Sequence, residues 1–287
     1  MNRIDQTFRA LRQRHSAALI PFLTAGDPDL ETTGELMRVV ADSGADLLEL
    51  GVPFSDPTAD GPVLQHSSEI GLRAGTSLPR VLELVSDFRR ASQLPIILYG
   101  YFNPILHYGL ERFATDAHNA GIDGVLVVDL PPEEVQELLP HLRKVGIHFI
   151  FLLAPTSGPD RVRKVLRHAG GFLYYVSVTG VTGVRPMLPE MVRPAVQRLR
   201  QFTDLPIGVG FGISTPAQAA AIAEFADAAV VGSAIMRIVD AHPARESVTA
   251  VGAFVRVLKE AMQAARGAAG VRGAGPDSGA AGDPHGA

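Results

Sequence analysis

The 287-residue chain contains no cysteine, and that single absence closes several routes at once. It excludes a disulfide, a thiolate nucleophile and a thiolate metal site. It also fits a reducing cytosol, so a cytoplasmic location is expected. Lysine is nearly as scarce: Lys144, Lys164 and Lys259 are all there is, each on a predicted helix or its end. A Schiff-base aldolase needs a lysine on an inward strand position, which disfavours that chemistry. No apolar segment approaches the roughly 18–20 residues of a membrane span. A net charge of −4 argues against a nucleic-acid face. Arg89-Arg90 and the basic residues from Arg161 to Arg167 read as solvated helix faces. The nine histidines form no i, i+2 or i, i+4 pair with a carboxylate in motif, so no metal is expected. Basic residues ahead of an apolar run imitate a signal peptide, but Asp5, Arg9, Arg12 and Arg14 spread charge through the segment and Pro21 interrupts it. The N-terminus therefore reads as mature protein.

What is present is ordinary for a globular protein, with 46% apolar and 20% charged residues. Ile4, Phe8 and Leu11 predict an amphipathic helix over 2–13. Apolar strand-like runs then begin near residues 18, 46, 95, 124, 148, 172, 206 and 228, each followed by a helical stretch. Asp29 is placed to cap the second helix. Thr215-Pro216 with Gln218 carries the signature of a capping box. Continuous apolar strands alternating with helices mean a parallel sheet covered on both faces. Eight such units favour closure into a (β/α)8 TIM barrel, a fold of about 250 residues, with an extra N-terminal helix. A doubly wound sheet is the alternative, but no glycine fingerprint follows the first strand. One barrel domain is expected over 1–264. The tail from Arg266 holds seven glycines and six alanines among 22 residues, so 265–287 is expected to be disordered.

The chain is organised around residues 46–62, DLLELGVPFSDPTADGP. Glu49 falls near the end of the second strand and Asp60 follows in a loop closed by Gly61-Pro62. Active sites of this fold lie at the C-terminal strand ends. By alternation Leu48 and Leu50 face the helices while Leu47 and Glu49 face inward. An inward carboxylate among apolar neighbours has a raised pKa, which suits general acid/base work. The blander reading is a structural carboxylate paired to an inward cation, yet the strand ends supply no obvious one. Asp60 alone reads as a turn residue; beside Glu49 it becomes a second candidate acid.

Three late strand ends carry glycines: TGVTG at 179–183, FGIS at 211–214 and GSA at 232–234. Glycines let backbone N–H groups approach an anion, and a helix opening at Ser233 aims its positive end there. The loops after strands seven and eight often hold phosphate in this fold. Each glycine alone reads as a tight turn; together they favour a phosphate. Phe22, Tyr174 and Phe211, at or near strand ends, read as core or as walls for a flat apolar ligand.

LELGVPFSDPTADGP, GYFNPILHYG, DLPPEE, TGVTG, GFGIS and GSAI, in that order, resemble the alpha chain of tryptophan synthase over roughly residues 1–264. The resemblance implies a lyase that cleaves indole-3-glycerol phosphate by a retro-aldol reaction to indole and glyceraldehyde 3-phosphate. It implies no cofactor on this chain. The implied partner is a beta chain carrying pyridoxal phosphate, in an alpha2beta2 heterotetramer that receives the indole. The family's catalytic acids fall on Glu49, the acid/base, and Asp60, the acceptor for the indole N–H. Its phosphate-binding positions fall on Gly183, Gly212, Gly232 and Ser233. Its indole walls fall on Phe22, Leu126, Tyr174 and Phe211, and its loop-closing residue on Thr182. Asp56 and Pro57 match the loop facing the beta chain. Two positions depart: Thr58 stands where leucine is usual, and Val128 precedes Asp129 where proline or alanine is usual. A non-catalytic regulatory subunit and another phosphate-binding barrel, such as an isomerase, are the competing readings.

Overall fold

The computed structural model describes residues 1–176, 189–210 and 212–273, with side chains through Arg266. The strands are β1 (Ala18–Thr24), β2 (Leu48–Gly51), β3 (Ile96–Gly100), β4 (Gly124–Val127), β5 (His148–Phe149), β6 (Phe151–Leu153), β7 (Leu173–Val176), β8 (Ile207–Gly210) and β9 (Ala228–Val231). They pair in the order β5-β4-β3-β2-β1-β9-β8-β7-β6, every pair parallel. β5 and β6 are two halves of one strand parted at Ile150, the first half on β4 and the second on β7. The two edges of the sheet are thus one piece of chain, and the ring closes. Nine strand segments make the eight staves expected of the barrel. Every residue of β1, β2, β3, β4, β8 and β9 is buried. Their apolar runs are unbroken because the helices cover one face and the barrel interior the other.

α1 (Arg3–Gln13) begins with Asn2 as N-cap, whose side chain accepts from the Ile4 N–H. It packs under the barrel: the Phe8 ring lies 5.5 Å from Phe172, just before β7. Asp123, just ahead of β4, ties this end together. Its Oδ1 accepts from Arg3 at 2.8 Å, and its Oδ2 from Arg89 at 2.8 Å and from the Ile96 N–H at 2.9 Å. Arg89 therefore does not lie on a solvated face. Its side chain is only 9% exposed, and the stem reaches inward because a buried carboxylate and the carbonyls of Gly121 and Leu94 wait for it.

The expected caps form. Asp29 accepts from the Thr32 N–H at the start of α2 (Leu30–Asp42), and Thr215 and Gln218 close a reciprocal box on α10 (Pro216–Ala223). Other helices are α4 (Leu78–Arg89), α6 (Leu110–Ala120), α8 (Pro159–Leu166), α9 (Pro189–Arg200) and α11 (Ser233–Ala241). Two helices escaped the sequence pattern. α3 (Pro62–Arg73) fills part of what reads as loop; its buried residues are Ser67, Ser68 and Gly71, so no apolar periodicity marks it. α5 (Phe102–Tyr108) is short and buries only Ile105. The helical stretch that follows β4 splits into a 3-10 turn at Val135–Glu137 and α7 (Leu139–Val145). Pro140 cannot donate into a continuous helix, but it is tolerated in the first turn of a new one. α12 (Ala244–Gly273) runs past 264, the expected end of the barrel domain, into the stretch expected to be disordered. The rest of the expected tail, 274–287, lies outside the described residues.

Removing Asp123 leaves Arg89 buried without its counter-charge. Asp123→Ala is expected to destabilise the fold by about 3–5 kcal/mol, the usual cost of breaking a buried ion pair. Urea unfolding of the two proteins measures it.

Candidate active site

Parallel pairing puts all strand C-termini on one side of the ring. Register then selects the neighbours: Phe22 pairs with Glu49, Glu49 with Ile97, and Gly51 with Tyr99. Across the barrel, Tyr174 pairs with Gly208. A side chain at Gly210 would collide with the Tyr174 hydroxyl, so glycine there leaves room for the ring. These elements enclose a cavity of about 160 Å³ lined by Phe22, Glu49, Tyr99, Tyr174, Val230 and Leu64, among others. Gly212, Gly232, Ser233 and Arg237 line it too.

Glu49 is 2% exposed, and its Oε1 has no hydrogen-bond partner among the described residues. Burial first, and then the negative charge of Asp60, push its carboxyl from the ordinary 4.5 up to about 8. At neutral pH it carries a proton it can donate, and once ionised it is a strong enough base to recover one.

Asp60 is also buried, at 3% exposure, but it is fully partnered. Tyr99 donates its hydroxyl to Oδ1 at 2.5 Å and Tyr101 to Oδ2 at 3.0 Å. Burial raises this carboxyl's pKa while the two hydroxyls pull it back toward the anion. The loop is anchored as well: Tyr101 Oη accepts from the Ala59 N–H, and Gln65 donates to the Asp60 carbonyl. Asp60 does not itself line the cavity; Tyr99 does.

At the other end, α11 opens at Gly232 with no side-chain cap. Gly232 and Ser233 line the cavity, so the positive end of the helix dipole lies beside it. Gly212 holds φ +85°, a left-handed conformation that suits glycine and brings its backbone to the same mouth. Arg237, one turn after Ser233, adds a guanidinium. The cavity thus brings the Glu49 carboxyl together with Gly212 and the opening of α11.

A sequence model of the family described as tryptophan synthase alpha chain matches residues 8–265. The tryptophan synthase alpha chain of Geotalea uraniireducens is 51% identical over 267 residues, 93% of this chain and all of that one. That of Geobacter sulfurreducens is 53% identical over 262 residues, 91% of this chain and 99% of the other. The chain belongs to the tryptophan synthase alpha-chain family. A crystal structure of tryptophan synthase subunit alpha from Legionella pneumophila superposes with TM-score 0.85 at 42% identity, covering 92% of this chain and 99% of that chain. An aminoacrylate-bound tryptophan synthase structure from M. tuberculosis aligns with TM-score 0.82 at 32% identity, over 91% and 100% of the two chains.

Of the alpha-chain positions expected from sequence, Phe22, Glu49, Tyr174, Gly212, Gly232 and Ser233 meet at this cavity. Leu126 pairs in register with Tyr99 but stays in the core and does not line it. Thr182, Gly183 and Phe211 lie outside the described residues. Thr58 is exposed, so its departure from leucine leaves the interior untouched. Val128 is part-buried, and its N–H donates to the Gly100 carbonyl at 3.0 Å. Among the described residues no group of three or more histidine, aspartate or glutamate side chains is placed to hold a metal ion. No helix among them is long and apolar enough to cross a membrane. Tyr99, Tyr101 and Arg237 were missed by the sequence reading. The first two stand two apart at a strand end, a spacing that puts side chains on one face; Arg237 stands four after Ser233, on one face of the helix.

The raised pKa of Glu49 has a sign for stability. Between the ordinary 4.5 and the folded value near 8, the native state holds a proton that the unfolded chain releases, so this contribution fades as pH rises. Glu49→Gln is expected to gain on the wild type as pH climbs through that window. The gain is about 1.4 kcal/mol for each unit separating the two pKa values. Urea denaturation at pH 5 and pH 8.5 checks that the gap widens.

Proposed function

We propose that this chain, as a tryptophan synthase alpha subunit, cleaves indole-3-glycerol phosphate with Glu49 and Asp60 as the two working acids. The buried Glu49 carboxyl lining the cavity, its Oε1 without a hydrogen-bond partner among the described residues, is the observation that carries the assignment. Glu49 gives its proton to indole C3, and the ring nitrogen takes up positive charge. Asp60, as an anion, accepts the ring N–H and offsets that charge. Glu49 then removes the proton of the C3′ hydroxyl. The carbonyl of glyceraldehyde 3-phosphate forms as the C3–C3′ bond breaks, and the bonding pair returns to the ring as indole. Glu49 ends protonated as it began. The indole ring itself is the electron sink, so no step calls for a cofactor. Pyridoxal phosphate is accordingly assigned to the partner beta chain and none to this one.

The phosphate is assigned to the cradle of Gly212, Gly232 and Ser233, with Gly183 completing it. Phe22, Tyr174, Leu126 and Phe211 are assigned to the indole end, and Thr182 to loop closure. The beta chain is assigned to the face around the exposed Asp56 and the part-buried Pro57, where α5 adds the exposed Leu106. An alpha2beta2 assembly would pass indole across that face, in the cytoplasm. The same geometry disfavours a purely regulatory chain, because regulation does not require a carboxyl kept protonated inside a cavity.

Glu49→Gln is expected to lower kcat for indole release by at least about 10²–10⁴-fold, the range for general acid/base catalysis. Binding of glycerol 3-phosphate should survive. A variant that kept full lyase activity would overturn the acid/base assignment. At the other end, Gly212→Ala places a side chain in a left-handed conformation. It is expected to raise KM about tenfold while changing kcat less, a loss of binding common to ground and transition states. Steady-state kinetics on indole-3-glycerol phosphate separate the two.

A further inference from the structure

Asp60 does not stand at the cavity by its own side chain; a tyrosine stands between. Tyr99 lines the cavity and donates its hydroxyl to Asp60 Oδ1 at 2.5 Å. We propose that Tyr99 is a positioning residue for the lyase reaction: its hydroxyl holds the Asp60 carboxylate as an oriented anion at the edge of the cavity. The chemical part rests on the function proposed above; the contact with Asp60 does not.

Three observations separate Tyr99 from the second tyrosine on Asp60. Its hydrogen bond is the shorter, 2.5 Å against 3.0 Å for Tyr101. Charge-assisted O–H···O⁻ bonds lie at about 2.5–2.7 Å and are roughly twice as strong as neutral ones. The Tyr101 hydroxyl also accepts from the Ala59 N–H, and its ring stacks on Phe54 at 4.9 Å, so Tyr101 anchors the loop. Tyr99 instead projects from β3, clamped by β2 on one side and β4 on the other, with its ring edge-on to Phe22 at 5.2 Å. The donor therefore belongs to the barrel and the acceptor to a loop. A donor held on a rigid strand is what fixes the direction of an acceptor carried by a loop.

The need for such a donor follows from burial. Desolvation favours the neutral form of Asp60, and the two tyrosine hydroxyls are what oppose it. Among the described residues, the other titratable groups facing the acid pair add no positive charge. Glu49 comes from β2 and Tyr174 from β7, and both acids burden the Tyr174 hydroxyl. A neutral Asp60 would be a weaker acceptor for the ring N–H and no counter-ion for the charged tautomer. It would also release the Coulombic pressure that helps keep the proton on Glu49.

The test uses Tyr99→Phe, which keeps the ring on Phe22, with Tyr101→Phe beside it. In the ligand-free protein, the ¹³Cγ titration of Asp60, assigned with Asp60→Asn, is expected to move up by about one unit in Tyr99→Phe, the scale of one charge-assisted hydrogen bond. With indole-3-glycerol phosphate, kcat is expected to fall about tenfold with little change in KM, the pattern of a contact felt in the transition state. The acid limb of its pH profile should move up in step, and Tyr101→Phe should do less of each. An Asp60 titration unmoved by Tyr99→Phe overturns the proposal. So does a moved titration with unchanged kcat and acid limb in a wild type that cleaves substrate. A wild type without lyase activity refutes the function proposed above; the titration still decides whether Tyr99 holds Asp60.

Discussion

A glutamate carboxyl carried into the apolar end of a closed barrel, with no partner for Oε1 among the described residues, must keep its proton. Much of the site answers to that constraint. The neighbouring Asp60 strengthens it, because a second buried negative charge makes ionisation of Glu49 harder still. Burial also raises the pKa of Asp60, and the hydroxyls of Tyr99 and Tyr101, which donate to both of its oxygens, oppose that rise. Burial raises the pKa of both acids, but only Asp60 has hydroxyl donors on both oxygens that oppose the rise.

The barrel's topology lets these demands be met without costing the fold its stability. All strands run parallel, so the ends that carry polar groups lie together and the opposite end is left for structure. There the N-terminal helix, β3 and β4 meet at Asp123 with Arg3 and Arg89. Ion pairing holds one end of the barrel while the other carries a carboxyl that no cation among the described residues relieves. Glu49 and the start of α11 line the same cavity, and Asp60 lies behind Tyr99 at its wall.

Much of this was legible in the residue order, because much of it is local. Strand–helix alternation, the Asp29 cap and the Thr215–Gln218 box depend on neighbours within a few residues. So does the inward direction of Glu49, which follows from the two-residue period of a strand. The order of motifs around Glu49, Asp60 and the late glycines carried the family resemblance for the same reason.

What the tertiary structure decided was everything that depends on distant partners. Arg89 looks like a surface residue until Asp123 is brought beneath it by β4. α3 shows no apolar stripe because its buried face is made of Ser67, Ser68 and Gly71 packed closely into the barrel wall. Tyr99 reads as an ordinary strand residue until Asp60, 39 positions earlier, folds back onto its hydroxyl. The sequence by itself determined which groups reach the C-terminal end of the barrel and on which face, since backbone periodicity sets that. Only the closed ring decided which of those groups touch, and a buried acid's charge is set by what it touches.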